Sequence, residues 1–322
     1  MNLLALTQQL QQHFSWQSIE IKSLGDVNSY FNQTFKVVAD GQMYALQCVP
    51  SQSAVFTKNA HQQLPQVLAA LNQAQRKQWY PHLYLEMLAT TKGDYYLPTQ
   101  LNGQAFELRL FKWIESDAIA QVTESIAFEA GKILADFHLA VQDVKGLNDL
   151  VEHAIEPLPH FHDSAWYLQH WQQACMNNQW ADNNLDLSEH LTTIEQASGL
   201  IQQFDVFRQQ QLKQQPRVMH GDPKLANILF KQQQAIALID FDTIMTGLWH
   251  YDVADALRSL CNTQAENGDV NQVGFDLRLF TAFMRGYAPA LLVWTTQEKQ
   301  MLSAAIALLP LELGIRFLFG CH

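Results

Sequence analysis

Cysteine is scarce in this chain. Cys48, Cys175, Cys261 and Cys321 are the only 4 in 322 residues, scattered without paired or metal-type spacing. That excludes a disulfide framework and a thiolate zinc site, and it implies reduced thiols in a reducing compartment. Positive charge is scarce as well: 20 Lys and Arg stand against 31 Asp and Glu, for a formal net charge of −11 and a pI near 5.5. Nucleic acid needs a basic face, so this balance argues against such a partner and for a small molecule. Uninterrupted apolar runs are missing. The most apolar stretch, Met301 to Phe319, is broken by Pro310, Glu312 and Arg316, and a buried terminal helix is expected there rather than a membrane span. The N-terminus has neither a basic start nor a small-residue cleavage site, and its apolar positions recur at helical spacing. A short amphipathic helix and a cytoplasmic protein follow as expectations. Oligomeric state leaves no signal in the pattern.

At 322 residues and 48% hydrophobic, the chain can bury a core large enough for two lobes. Alternation predicts strands over Ile19 to Leu24, Tyr30 to Val38 and Met43 to Val49, the last two joined by an Asp40-Gly41 turn. The first connection, Gly25 to Ser29, contains a single glycine. It is either a phosphate-covering loop or an ordinary hairpin connection. A helix is expected over Thr57 to Gln78, then strands over Tyr84 to Leu88, Asp94 to Leu97 and Phe106 to Ile114. Ser116 to Thr123 is a polar crossing. Helices follow at Glu124 to Val141, Leu187 to Gln214, from Tyr251, at Phe275 to Tyr287 and at Gln297 to Phe319, with an insertion-like Trp- and His-rich segment at Leu147 to Asn184. His138, His153, His160, His162 and His170 match no compact zinc spacing.

The chemistry concentrates between Arg217 and Arg258. His220-Gly221-Asp222 is followed by Asn227, then by an apolar run from Ala235 to Ile239 that delivers Asp240-Phe241-Asp242. Any one of these aspartates alone would read as a turn or helix cap. As an ordered set they match the kinase pattern H-R-D, four residues, N, then D-F-G, with Gly221 in place of the arginine and Asp242 in place of the glycine. Phosphoryl transfer needs a carboxylate at the acceptor hydroxyl and cations that neutralise phosphate charge. Asp222, grouped with His220, is the expected base. Asn227 and Asp240 are expected magnesium ligands, with Asp242 on the metal or substrate side. A two-metal phosphohydrolase built from His220, Asp222, Asp240, Asp242, His250 and Asp252 is the competing reading of the same residues.

These motifs, with Tyr251-Asp252-Val253-Ala254-Asp255-Ala256-Leu257-Arg258, resemble the aminoglycoside phosphotransferase and choline kinase superfamily of small-molecule kinases. Asp240 to Arg258 is similar to the corresponding stretch of N-acetylhexosamine 1-kinases, with Thr246 where that branch usually has proline and Ala254 where it has glycine. The resemblance implies an α+β, bilobal kinase-like fold: residues 1–115 as a small antiparallel-sheet lobe with one large helix, and residues 116–322 as a mainly helical lobe holding the acceptor site. It implies ATP and Mg2+, and transfer to the anomeric hydroxyl of an N-acetylhexosamine-like sugar. It further implies nucleotide contacts at Asn28 in the phosphate loop, at Gln47 and at Trp113 beside a 112–115 hinge, a sugar contact at Arg316, and a loop-bracing Asp252; the other readings are a core residue for Trp113, a surface ion pair for Arg316 and a plain N-cap for Asp252.

One departure stands out. Tyr44-Ala45-Leu46-Gln47 lies where kinases have V-A-I-K, so Gln47 replaces the lysine that pairs with the α- and β-phosphates and a helix glutamate. That glutamate is missing too, since no acidic residue occurs from Gly41 to Leu85. The cation must come from elsewhere, with Lys36, Lys58, His61 and Arg109 as candidates. The same loss motivates two alternatives: a kinase-like binder with little catalysis, and a kinase for another small alcohol such as choline, an amino alcohol or an aminoglycoside.

Overall fold

The computed structural model describes residues 3–28, 33–51, 64–73, 82, 85–101, 103–142, 144, 146–152, 160–176, 188–264 and 268–318. An N-terminal helix, α1 (Leu3–Phe14), precedes the strands β1 (Ile19–Asn28), β2 (Gln33–Ala39) and β3 (Gln42–Pro50). Helix α2 is seen over residues 64–73, within the expected Thr57 to Gln78. Then come β4 (Met87–Leu88), β5 (Leu97–Leu101) and β6 (Gln104–Lys112). The sheet is antiparallel, in the order β1-β2-β3-β6-β4, with β5 pairing the other half of β6.

Period-two alternation gives this sheet two faces. Phe35, Val37, Leu46, Phe106, Leu108 and Leu110 turn to one face and pack with Leu6 and Leu10 of α1. The opposite face carries Phe111, which joins the larger core together with Leu64, Val67, Leu68 and Leu71 of α2. Arg109 and Gln47 lie directly opposite each other in the β3–β6 register, on the same face as Phe111. The hydrophobic pattern of one strand therefore aims a guanidinium toward the helical part of the molecule.

Two strand expectations need correction. β1 does not end at Leu24 but runs to Asn28, which pairs with Gln33 across an irregular register. Pairing with β2 outweighs the turn preference of Gly25 and Asp26. The strand expected at Asp94 to Leu97 lies instead at Leu97–Leu101, because Leu97, Thr99 and Leu101 supply the inward alternation, and Pro98 is tolerated on an edge strand. The residues proposed for the rest of the phosphate loop, and Lys58 and His61, lie outside the described residues.

After Lys112 the chain enters a helical assembly: α3 (Glu124–Gln142), α4 (Leu147–Glu152), α5 (Ser164–Met176), α6 (Ser188–Gln214), α7 (Trp249–Leu260), α8 (Leu277–Tyr287) and α9 (Thr296–Leu318). Short strands lie between α6 and α7: β7 (Arg217–Met219) pairs with β10 (Met245–Gly247), and β8 (Ile228–Lys231) with β9 (Gln234–Leu238). α9 is long and apolar enough by composition to cross a membrane. In this fold it packs against α5, α6 and α7 and carries buried Glu298, Glu312 and Arg316, as expected of a core helix.

Helices α3 and α8 pack against each other where glycines remove the side chains at the crossing. A Cβ on Gly131 would run into the Phe283 carbonyl, and one on Gly286 into the Phe128 carbonyl. Both obstacles are backbone, so relief requires the helices to separate. Gly286→Ala is expected to lower stability by about 1–3 kcal/mol, read as a shift of the urea midpoint. An unchanged midpoint would show that the crossing is looser than described.

Candidate active site

The catalytic loop leaves β7 and is held from behind by α7. Asp252, in the first turn of that helix and fully buried, accepts from the backbone N–H of His220 at 2.7 Å and of Gly221 at 2.8 Å. His138 of α3 reaches the same carboxylate through Nε2 at 2.8 Å, while its Nδ1 lies 2.6 Å from the Tyr287 hydroxyl. Burial works to raise the Asp252 carboxyl. The contacts from His138 and the His220 amide outweigh it and hold the group below the ordinary carboxylate range. Asp252 is therefore the loop brace, since its carboxylate serves a loop distant in sequence rather than its own helix end. Ser259, two turns on, accepts from the Leu225 N–H at 2.8 Å.

Gly221 explains the missing arginine of the kinase pattern. Its φ is +88°, and a Cβ there would strike the Thr243 carbonyl. Thr243 in turn donates its hydroxyl to the His220 carbonyl at 2.9 Å. A glycine is required because the loop passes directly over the segment that carries Asp242.

His220 is fully buried. Its Nε2 lies 3.0 Å from the Ile239 carbonyl, and its Nδ1 accepts from the Asp222 N–H at 3.4 Å. Burial pushes its pKa down, against the pull of Asp252 and Asp222, so the ring is a neutral tie between the catalytic loop and the strand ahead of Asp240. These contacts position the loop.

Asp222 accepts from Lys224 Nζ at 2.8 Å, and Asn227 Nδ2 lies 2.8 Å from the Asp222 carbonyl and 3.2 Å from its carboxylate. The Asn227 carbonyl accepts from the Ile239 N–H at 2.9 Å, so the β8–β9 hairpin fixes Asn227 beside Asp240. Asp240 adopts a left-handed backbone, φ 67° and ψ 60°, a conformation that Asp tolerates better than most residues. Burial, together with the carboxylates of Asp242 and Asp222, pushes its pKa up to about 7, although Arg109 and Lys224 oppose the rise. Lys224 was not singled out in the sequence, yet it is the only cation between His220 and Asn227. Burial works against its charge, the nearby carboxylates prevail, and its pKa lies above the ordinary value.

Asp242 faces the sheet. Both its oxygens accept from Arg109, at 2.6 Å each, and Arg109 Nε donates to Gln47 Oε1 at 2.8 Å. Of the candidate cations among the described residues, Arg109 is the one joined to the aspartate loop; Lys36 instead sits 4.5 Å over the Trp113 ring. Trp113 is half-buried and donates to Glu115 at 2.9 Å. Asn28 ends β1, and its side chain lies outside the described residues.

Polar groups also line the far side of Gly221. His162 Nε2 lies 3.2 Å from the Gly221 carbonyl, and its Nδ1 lies 3.6 Å from Glu312 of α9. The ring stacks on Tyr251 at 4.5 Å. Arg316, one turn beyond Glu312, places its guanidinium 5.3 Å from the Phe161 ring. His162 Nδ1, Glu312 Oε1, the Tyr251 hydroxyl and Arg316 Nε are buried without hydrogen-bond partners.

A two-part α+β chain whose antiparallel sheet faces a loop of Asp, Asn and Asp defines a kinase-like phosphotransferase. A family model described as the phosphotransferase enzyme family matches residues 27–289. The chain belongs to that family, and its enzyme class is that of small-molecule kinases acting on hydroxyl groups. Solved structures agree on the fold. An amicoumacin kinase in complex with AMP-PNP, Ca2+ and Ami is 12% identical, with a TM-score of 0.60 over 98% of this chain and 85% of that one. Spectinomycin phosphotransferase, APH(9)-Ia, in complex with ADP and spectinomycin, is 12% identical, with a TM-score of 0.56 over 99% and 89%. A microcompartment-associated aminopropanol kinase is 15% identical, with a TM-score of 0.54 over 97% and 88%.

If Asp252 is the brace, Asp252→Asn must lose it, because one carboxamide cannot accept on both oxygen positions. Stability is expected to fall by about 2–4 kcal/mol, and kcat by roughly 100-fold or more, with urea unfolding and steady-state kinetics as the readouts. An unchanged midpoint and rate would reduce Asp252 to a bystander.

Proposed function

We propose that the protein transfers the γ-phosphoryl group of ATP to a hydroxyl of a small molecule with the help of Mg2+, and that the acceptor is the anomeric hydroxyl of an N-acetylhexosamine-like sugar. The observation that carries the reading is the Asp222, Asn227 and Asp240 set, locked together by the Asp252 brace and the β8–β9 hairpin. Asp222 accepts the acceptor's proton as its oxygen bonds to the γ-phosphorus and the bond to the β-phosphate oxygen breaks, releasing ADP. Lys224, beside Asp222, brings positive charge to the transferring group.

The residues present fit a divalent cation. Asp240 is a part-buried carboxyl among other carboxylates, an arrangement that favours a cation over a proton, and the Asn227 side-chain oxygen complements it. Asn227 and Asp240 would hold magnesium, whose charge would offset that of the phosphate oxygens. Asp242, sequence-assigned to the metal side, instead has its oxygens occupied by Arg109, and we assign it to the guanidinium.

Two features support the sugar. The Asp240 to Arg258 stretch and the segment around Arg316 resemble hexosamine kinases, and the buried polar side chains of His162, Tyr251, Glu312 and Arg316, each with an atom that makes no hydrogen bond, suit a ligand rich in hydroxyl and amide groups. Glu312, whose Oε2 accepts from Ser164 and whose Oε1 makes no hydrogen bond, also suits an ammonium group. An amino alcohol is therefore the second acceptor class.

In an ADP-release panel of N-acetylglucosamine, N-acetylgalactosamine, other hexoses, choline, amino alcohols and an aminoglycoside, turnover is expected with the hexosamines. Asp222→Asn should lose it by about 10²–10⁴-fold or more while still binding ATP. Undiminished turnover in that variant would remove Asp222 as the base.

Magnesium binding has its own pH signature. Proton and metal compete for the same Asp240 carboxylate, so affinity is full above about 7 and weakens as pH falls through that value. The expected loss is about tenfold per pH unit for one displaced proton, measured by titration calorimetry without nucleotide. Flat affinity between pH 5.5 and 8 would mean the metal does not use Asp240.

A further inference from the structure

We propose that Arg109 takes the place of the missing strand lysine, contacting the α- and β-phosphates of ATP while Gln47 and Asp242 hold its guanidinium. The proposal rests on the ATP-dependent reading above and adds the identity of its cationic contact.

The geometry is a hand-over across one rung of the sheet. Gln47 and Arg109 are direct partners in the β3–β6 ladder, so their side chains leave the same face side by side. The Gln47 side chain ends one bond short of where a lysine ammonium would lie, and its oxygen accepts from Arg109 Nε at 2.8 Å. The guanidinium thus lies within a hydrogen bond of the vacated position. The cation has moved to the neighbouring strand, and the glutamine has become its holder.

The acidic partner has moved as well. A strand lysine has two duties, pairing with a helix glutamate and with phosphates. Arg109 already performs the first, with both Asp242 oxygens at 2.6 Å. This accounts for two departures together: the absence of acidic residues from Gly41 to Leu85 and the presence of Asp242 where kinases have glycine.

A guanidinium carries five N–H groups. Gln47 takes one and Asp242 two, one from each terminal nitrogen. Each terminal nitrogen keeps a second N–H, with the Tyr96 hydroxyl beside the guanidinium. A lysine ammonium, with three donors, could not serve so many partners. Arg109 is only 2% exposed against 14% for Asp242. A pair that serves only to join sheet and loop would never meet the nucleotide, and experiment separates the two roles.

Equilibrium binding of ATP, ADP and adenosine would be measured by calorimetry, with thermal unfolding recorded for each variant. Wild type is expected to bind ATP and ADP well above adenosine. Arg109→Met should weaken ATP and ADP by about 10–100-fold, as loss of charged hydrogen bonds implies, and leave adenosine within about twofold. The double variant Arg109→Met/Gln47→Lys returns a cation to the strand position and should recover most of the ATP affinity. If Arg109→Met does not fold, Arg109→Lys carries the test: its ammonium cannot keep the fork, and the ATP-to-adenosine preference should still drop. Wild-type ATP binding that Arg109→Met leaves unchanged, or weakens equally with adenosine, would overturn the proposal and leave the ATP reading intact. Wild type that binds no ATP would overturn both.

Discussion

The structure depends on one buried carboxylate. Asp252 holds the His220 and Gly221 amides, and through them the whole loop that carries Asp222 and Asn227. Its own position is set by His138, which is stacked on Trp249 at 4.4 Å and tied to Tyr287. Three helices, α3, α7 and α8, therefore converge on a single group, and the glycine contacts between α3 and α8 allow that convergence. A buried charge is costly unless fully bonded. Here both oxygens are used, which makes the brace a strict geometric condition on the loop.

In front of the brace the electrostatics are deliberately incomplete. Among the described residues, Lys224 and Arg109 are the cations that bear on Asp240, whose carboxyl burial and the neighbouring Asp242 and Asp222 push up to about 7. On our proposal a site in that condition takes a divalent cation, and its nucleotide side carries a guanidinium rather than an ammonium. The fork geometry of arginine lets one residue join two strands and the aspartate loop. Gln47 is then a working part of the site rather than a sign of lost activity.

The parts of this account that were legible in the sequence are those encoded by local spacing. Asp222 and Asn227 share one loop, and Asp240 follows a hairpin, so their order could be matched to a chemical pattern directly. The helices expected at Glu124 to Val141, Leu187 to Gln214 and Gln297 to Phe319 correspond to α3, α6 and α9, whereas α4 and α5 lie in a segment whose composition showed only an insertion. What could not be read were contacts across the fold. Arg109 and Asp242 are 133 residues apart, and nothing in FELRLFKWI says which face of the strand meets the aspartate loop. Asp252 at a helix start carries the same signature whether it caps its own helix or braces a loop 31 residues away. Lys224 was within reach, as a lone lysine two residues from the base. The position of β5 was missed because pairing with β6 decided it.

The central claim is that this geometry moves a phosphoryl group from nucleotide to acceptor hydroxyl rather than to water. The most direct measurement is phosphorus NMR of the products formed from ATP and an N-acetylhexosamine. The account predicts ADP and a new sugar phosphate ester in equal amounts, with the phosphorus coupled to the anomeric proton. Inorganic phosphate as the only product beside ADP, or its release from a phosphate ester without ATP, would contradict the account and favour a metal-dependent hydrolase.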